Sequence, residues 1–280
     1  MNPRTIYCIA KKEFTDNLRN KWIIALTSIF IILTIATSYL AGAQTGSSSR
    51  LGSMENTVVT LLSISSMLIP IIAIMLGYAA ISGDAESGSL AIVLAYPVRK
   101  VEVLLGKFIG LGSVLGVSTT VGFGTGGIVI ALVSGTGSWK GYLAFIALST
   151  FLGLLYLSLS MFFSALCAKR VTSLGAGVLI FFWGMIYGTV LFGIYLATGG
   201  TFEGLMSGKG FPDWMWWSIL VSPNDTNQMT IMQAFGIKQA FGVQMDAPGF
   251  MSLGLLVTVQ LIWTIVPLLL AYYFFEKRDI

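Results

Sequence analysis

The chain has 280 residues, is 55% hydrophobic and only 10% charged, and has a mean hydropathy of +0.84. Soluble domains carry roughly 25% charged residues, so this composition excludes an ordinary water-soluble fold and indicates a membrane protein. The absence of histidine, with only Cys8 and Cys167 as thiols, excludes histidine-based metal or catalytic chemistry and a disulfide framework.

Charged residues divide the chain into six uncharged runs of at least 28 residues, at 22–49, 56–83, 108–139, 141–168, 171–202 and 247–275. Each exceeds the roughly 20 residues that cross a bilayer as a helix. A helix satisfies its own backbone hydrogen bonds, whereas a barrel would need alternating strands of about ten residues. The expected fold is therefore all-α and integral to the membrane, a single domain over 1–280. Its six spans fall near 22–42, 57–82, 107–134, 141–167, 172–198 and 249–275. An interfacial helix at 3–20, an inner loop at 84–103 and an extracytoplasmic segment at 200–247 complete it. With the N-terminus inside, 12 Lys and Arg residues fall on the inner side and 4 on the outer, namely Arg50, Lys140, Lys209 and Lys238. Both termini are thus expected in the cytoplasm of a multi-pass cell-membrane protein. The net charge of +4 is a topology signal and gives no argument for nucleic acid. No cleavable signal peptide is expected, because polar sequence precedes a first apolar run long enough to remain as a span.

In chain order, Ile6, Ala10, Phe14 and Leu18 recur four apart, while Lys11, Lys12, Asp16 and Arg19 lie off that stripe. This pattern predicts a basic amphipathic helix lying on the inner face of the bilayer. Trp22 then marks the interface where the first span begins, and the Gly- and Ser-rich 42–55 reads as an outer loop. Pro70 predicts a kink in the second span.

The stretch Gly83–Lys107 carries Asp84, Glu86, Arg99, Lys100, Glu102 and Lys107 around a short apolar piece, Leu90-Ala-Ile-Val-Leu94. Ser87 or Ser89 suits the start of a short helix, with Asp84 and Glu86 on the side its dipole favours. Pro97 biases Tyr96 out of helical geometry and ends that helix. A short helix held between two spans by charged flanks is shaped for docking into a partner.

Gly112/Gly116 and Gly122/Gly126 in the third span are small-xxx-small pairs that let helices approach closely, inside a bundle or at a subunit interface. Gly122-Phe-Gly-Thr-Gly-Gly127 matches G-x-G-x-x-G formally, but it lies mid-span with no strand before it, so a nucleotide site is rejected. The turn 168–173 joins spans four and five, and Gly184 and Gly188 repeat the small-residue theme. In 200–248, Trp214-Met-Trp-Trp217 predicts short helices lying on or dipping into the outer leaflet. Met206, Met215, Met229, Met232 and Met245 in that segment bring thioethers suited to Cu(I), but Met is also an apolar gap-filler and no Cys or His stands beside them. No metal site is assigned. Asn224-Asp-Thr226 is a sequon, and the sixth span holds Gln260 and Pro267.

No Asp, Glu, Lys or Arg lies within the six runs, which disfavours a proton- or ion-coupled carrier. There is no G-x-x-x-x-G-K-[ST] sequence, since Gly106-Lys107 is followed by Phe108. Energy input should therefore arrive through another polypeptide, with the inner loop as the handle.

The pattern Asp84-x-Glu86-x-Gly88-Ser89-Leu90, followed by Pro97-x-Arg99 and Lys107, resembles the signature loop of type 2 ABC transporter permeases. Lys12-Glu13-Phe14, Asn20-Lys21-Trp22 and the six-span order resemble that family too. Ser222-Pro223-Asn224-Asp225 resembles the Asn-Pro-x-Asp motif of its NosY-like branch, the permease subunits of nitrous-oxide-reductase maturation transporters. Asp84, Ser89 and Ser222 depart from the usual Glu, Thr and Asn. The resemblance implies a homodimeric permease without enzymatic activity, each copy contacting a separate ATPase subunit that binds ATP and Mg2+. It implies that 3–20 and 84–100 contact the ATPase, with Leu90–Leu94 as the apolar docking face. Asp84 and Glu86 would fix the helix start and offer charge to the ATPase, and Arg99 and Lys107 would tether the exit to lipid headgroups. Trp214, Trp217, Pro223, Asn224 and Asp225 are candidates for an extracytoplasmic partner contact or gate. The function expected is ATP-driven solute export. The alternative is mechanical transmission to an extracytoplasmic partner in copper-site maturation, with no solute moved.

Overall fold

The computed structural model describes residues 2–19, 22–45, 54–134, 139–201, 211–236, 239–240, 243–244 and 248–278. They are almost wholly helical. Helices α1 (Pro3–Arg19), α2 (Trp22–Thr45), α3 (Met54–Gly77), α4 (Ser82–Glu86), α5 (Ser89–Leu94) and α6 (Lys100–Ser134) form the first half. Helices α7 (Trp139–Leu166), α8 (Arg170–Ala197), α9 (Asp213–Ile219), α10 (Pro223–Phe235) and α11 (Leu253–Lys277) form the second. A two-residue antiparallel ladder, β1 (Gln239–Ala240) with β2 (Val243–Gln244), is the one strand pair among the described residues.

Five helical stretches are long and apolar enough to cross a membrane: Thr57–Glu86, Lys100–Leu132, Trp139–Leu166, Arg170–Ala197 and Leu253–Lys277. The expected first span is α2, whose apolar part Ile24–Leu40 is shorter. Most of the 42–55 loop, with Arg50, and also Lys21, Met206, Lys209, Lys238 and Met245, lie outside the described residues.

Helix α7 is the axis of the bundle and packs against α3, α6, α8, α10 and α11. Between helices in lipid, close packing and interhelical hydrogen bonds take over from the hydrophobic effect. Helix α6 shows how: Gly106 and Gly110 face Ile9 and Ala10 of α1, Gly122 and Gly126 face Phe30 and Thr34 of α2, and Gly112 faces Leu154 of α7. A methyl group at Gly122 would stand 2.4 Å from Phe30 Cβ, so only hydrogen fits that crossing. The glycine pairs of the third span are used inside one bundle. The G-x-G-x-x-G match lies in uninterrupted helix, without a strand or phosphate-binding turn. Beside this crossing, Phe30, Phe123 and Phe145 stack in series at 4.8 and 5.1 Å, and Tyr142 donates to Phe123 O at 2.9 Å.

Helix α1 is held by neighbouring helices. Its stripe, with Ala10 buried and Ile6 and Phe14 half-buried, packs against α6 and α2, while Lys11 and Lys12 stay exposed. The side chains of Leu18 and Arg19 lie outside the described residues. An amphipathic stripe meets apolar helix as readily as lipid, and the glycines of α6 let it come close.

Candidate functional site

Two clusters of polar groups interrupt this apolar bundle. The first gathers where α1, α4, α6 and α8 meet. Helix α3 ends at Gly77, and a tight turn leads into α4, whose first amides have no side-chain cap of their own. Ser164 of α7 meets that need, its hydroxyl accepting from Ile81 N at 2.9 Å and Ser82 N at 3.0 Å. Gly88, at φ 74, then reverses the chain into α5. The expected single short helix is thus two helices joined by a left-handed residue, a geometry that glycine adopts without strain and most other residues do not.

Ser87 and Ser89 do not cap α5 as expected. Both hydroxyls donate to Asp84 O, at 3.2 and 3.3 Å, so they close the end of α4 instead. Leu90 is completely buried and anchors α5 to the core, while Leu94 is half-buried. The apolar face left open is formed by Ile92, 68% exposed, and Tyr96, 67% exposed, followed by exposed Pro97. Part of the docking face expected over Leu90–Leu94 is therefore turned inward, because a six-residue helix with one face on the core leaves only the opposite face free.

Lys107 is also not at a headgroup. It is 6% exposed, and its Nζ lies 2.7 Å from Glu13 Oε1 and 2.7 Å from Asp84 Oδ2. One ammonium thus joins α1, α4 and α6. Glu86 reaches α8, its carboxylate lying 3.4 Å from Arg170 Nε and accepting from Arg170 N at 3.2 Å. Asp84, expected to offer charge to a partner, is held by Lys107, whereas Glu86 stays exposed while paired at the surface with Arg170. Arg99 is exposed at the start of α6, where Glu102 accepts from its amide at 3.1 Å and from Asn2 N at 2.6 Å. That carboxylate fills the role of the acidic residue in a capping box and ties the start of α1 to the start of α6. Lys100 donates to Glu276 O and Arg278 O, and Arg278 to Cys167 O and Ala168 O, so basic side chains close the carbonyl ends of α11 and α7.

The second cluster was not legible as a site of this depth. Helix α10 does not stay outside the bundle; it inserts among α3, α7, α8 and α11. Ser222 is its N-cap and Pro223 its first residue. Asn227 donates to Leu148 O at 2.9 Å and to Gln260 Oε1 at 3.2 Å, and Gln260 donates to Thr230 Oγ1 at 2.6 Å. Gln228 donates to Ser66 Oγ at 3.0 Å. Gly184 and Gly188 make the room: a methyl group at Gly184 would meet Tyr156 Oη at 2.3 Å, and one at Gly188 would meet Asp225 Oδ1 at 3.1 Å. Gly184 lies midway along the 28 residues of α8, about 20 Å from either end, and Gly188 lies about 14 Å from its C-terminal end, at about 1.5 Å per residue.

Asp225 therefore lies against the C-terminal half of α8, carried into the bundle by α10. The six runs are uncharged, and Asp225 joins the bundle from outside them. Among the described residues, Asp225 Oδ2, Asn224 Oδ1 and Tyr156 Oη have no hydrogen-bond partner. Asn224 is 5% exposed, so the sequon is not on an accessible loop. Trp214 and Trp217 are exposed, the latter stacked on Phe250 at 4.8 Å, while Trp216 turns inward. Met215, Met229 and Met232 line one pocket with Asp225.

The chain matches, over residues 7–280, the family model described as ABC-2 family transporter protein. It is 31% identical over 283 residues to a protein named probable ABC transporter permease protein NosY from Stutzerimonas stutzeri, covering 98% of both chains. It is 30% identical over 285 residues to the protein of the same name from Pseudomonas aeruginosa, covering 98% of this chain and 99% of that one.

Proposed function

The chain belongs to the ABC-2 transporter family, and on that premise we propose that it couples ATP hydrolysis by a separate ATPase subunit to export of a solute. ATP and Mg2+ bind the ATPase, and two copies of this chain form the membrane unit with both termini in the cytoplasm. The observation that carries the reading is the α4–α5 elbow. It presents Ile92, Tyr96 and Pro97 outward while Asp84 and Glu86 hold it to α1, α6 and α8 through Lys107 and Arg170. A partner that closes on the exposed face moves the elbow as a piece, and the latches pass that movement to three helices.

A second reading is favoured by the same packing. Helix α4 touches α7 and α8, and α10 is wedged against those same helices. A push at the elbow can thus reach the re-entrant segment and any extracytoplasmic protein resting on it, with no solute crossing. Relatives named NosY make this mechanical role a fitting alternative.

The test is co-purification from native membranes. Ile92→Asp with Tyr96→Asp places two charges on the docking face without touching a latch, and the amount of ATPase subunit recovered should fall at least about tenfold. Recovery unchanged from wild type, or no ATPase in any preparation, overturns the coupling assignment. An extracytoplasmic protein in the same preparation, without ligand-stimulated ATPase activity, selects the mechanical reading.

A further inference from the structure

Between α8, α9 and α10 lies a pocket of about 220 Å³. Its walls are mostly apolar, with Phe192, Phe211, Trp216, Met229 and Met232 prominent; Gln228 is also polar, and Asp225 is the one ionisable group among the described lining residues. Phe211 and Trp216 meet edge to face at 5.7 Å and 84°, forming two walls of a corner. Trp216 Nε1 is already committed to Phe211 O at 3.1 Å, so the indole offers the pocket its ring and not its donor. Among the described residues, Asp225 Oδ2 has no hydrogen-bond partner and no Lys or Arg lines the space.

From this geometry we infer that the pocket binds a small organic cation with an apolar body, of the aryl-alkylammonium class. A buried carboxylate oxygen without a partner is unfavourable until a cation meets it. A hard metal ion needs several oxygen ligands, which these walls do not supply. Aromatic faces and polarisable sulfur attract a diffuse ammonium charge and pack against its hydrocarbon flanks. Size agrees: an apolar cavity of about 150 Å³ takes benzene, so this one has room for a ring bearing a short ammonium arm. Gly188 keeps the approach to the carboxylate open, since a methyl group there would stand 3.1 Å from Oδ1 and 3.4 Å from Oδ2. The inference does not rest on transport, because binding belongs to this chain alone.

The experiment is equilibrium binding of tritiated benzyltrimethylammonium to the full-length chain in lipid nanodiscs, without an ATPase subunit. Saturable binding is expected, and Asp225→Asn, which preserves shape, should weaken it at least about tenfold. On the wild-type chain, neutral benzyl alcohol should compete at least about tenfold more weakly than unlabelled cation. Absence of saturable binding overturns the proposal. So does equal competition by benzyl alcohol, which would make the pocket merely apolar; this arm holds whatever the variant does to folding. A well-folded Asp225→Asn chain that binds the cation as wild type does would place the site elsewhere and overturn it too.

Discussion

Lys107 illustrates why a single charge at the edge of a span is hard to interpret. In the sequence it stands between Gly106 and Phe108, where a lysine commonly reaches back to the lipid headgroups. Its partners Glu13 and Asp84 are 94 and 23 positions away, and only the packing of α1 and α4 on α6 brings them to 2.7 Å. Removing one member of such a cluster leaves the others facing each other without compensation. Breaking a fully buried pair costs about 3–5 kcal/mol. Because Asp84 remains one-third exposed, Lys107→Met should cost less, about 2–3 kcal/mol. Adding Glu13→Gln to Lys107→Met should recover most of that loss, since the carboxylate held most deeply is then neutral. Denaturant unfolding of the three chains in detergent checks this: additive losses in the double variant would mean that Lys107 and Glu13 do not act together.

At the scale of the element, the long spans were legible and the elbow and the re-entrant helix were only half so. A run of about 20 apolar residues is a one-dimensional signal, and α3, α6, α7, α8 and α11 follow it within a turn or two. Helix α10 gives no such signal. Its polar residues Asn227 and Gln228 are satisfied by Leu148 and Ser66, partners 79 and 162 positions away, so its depth is a property of tertiary packing. The short helix of the elbow and its stop were readable from Leu90 and Pro97, but not its outward face, because Ser164 of α7 and Gly88 set the angle between α4 and α5. Gly88 offers a clean test of that angle. Nothing lies within 4 Å of where its Cβ would stand, so a substitution meets only the left-handed backbone at φ +74. Gly88→Val should cost about 1–2 kcal/mol locally and lower ATPase recovery, whereas Gly88→Asn, a residue that visits this region, should stay near wild type. Equal behaviour of the two would show that the left-handed turn is not needed for docking.

Over the whole molecule, one end collects the basic residues that the loops scatter in sequence. Lys100 on Arg278, Arg278 on Ala168, Arg170 on Glu86 and Asn2 on Glu102 join the starts of α1, α6 and α8 to the ends of α7 and α11. The sequence bias of 12 Lys and Arg to 4 between the two sets of loops is the ground for proposing that this end faces the cytoplasm. The same face carries Ile92 and Tyr96, so orientation and coupling stand or fall together: an ATPase can reach the elbow only from the cytoplasm. The two cysteines allow this to be read directly. Cys8 is exposed on α1, whereas Cys167 is half-buried and burial pushes its thiol upward, which slows its reaction. With Cys167→Ser in place, a membrane-impermeant maleimide should leave Cys8 untouched in intact cells and label it once the inner face is opened. Labelling of Cys8 from outside would invert the topology and remove the elbow from any cytoplasmic ATPase, whatever its shape.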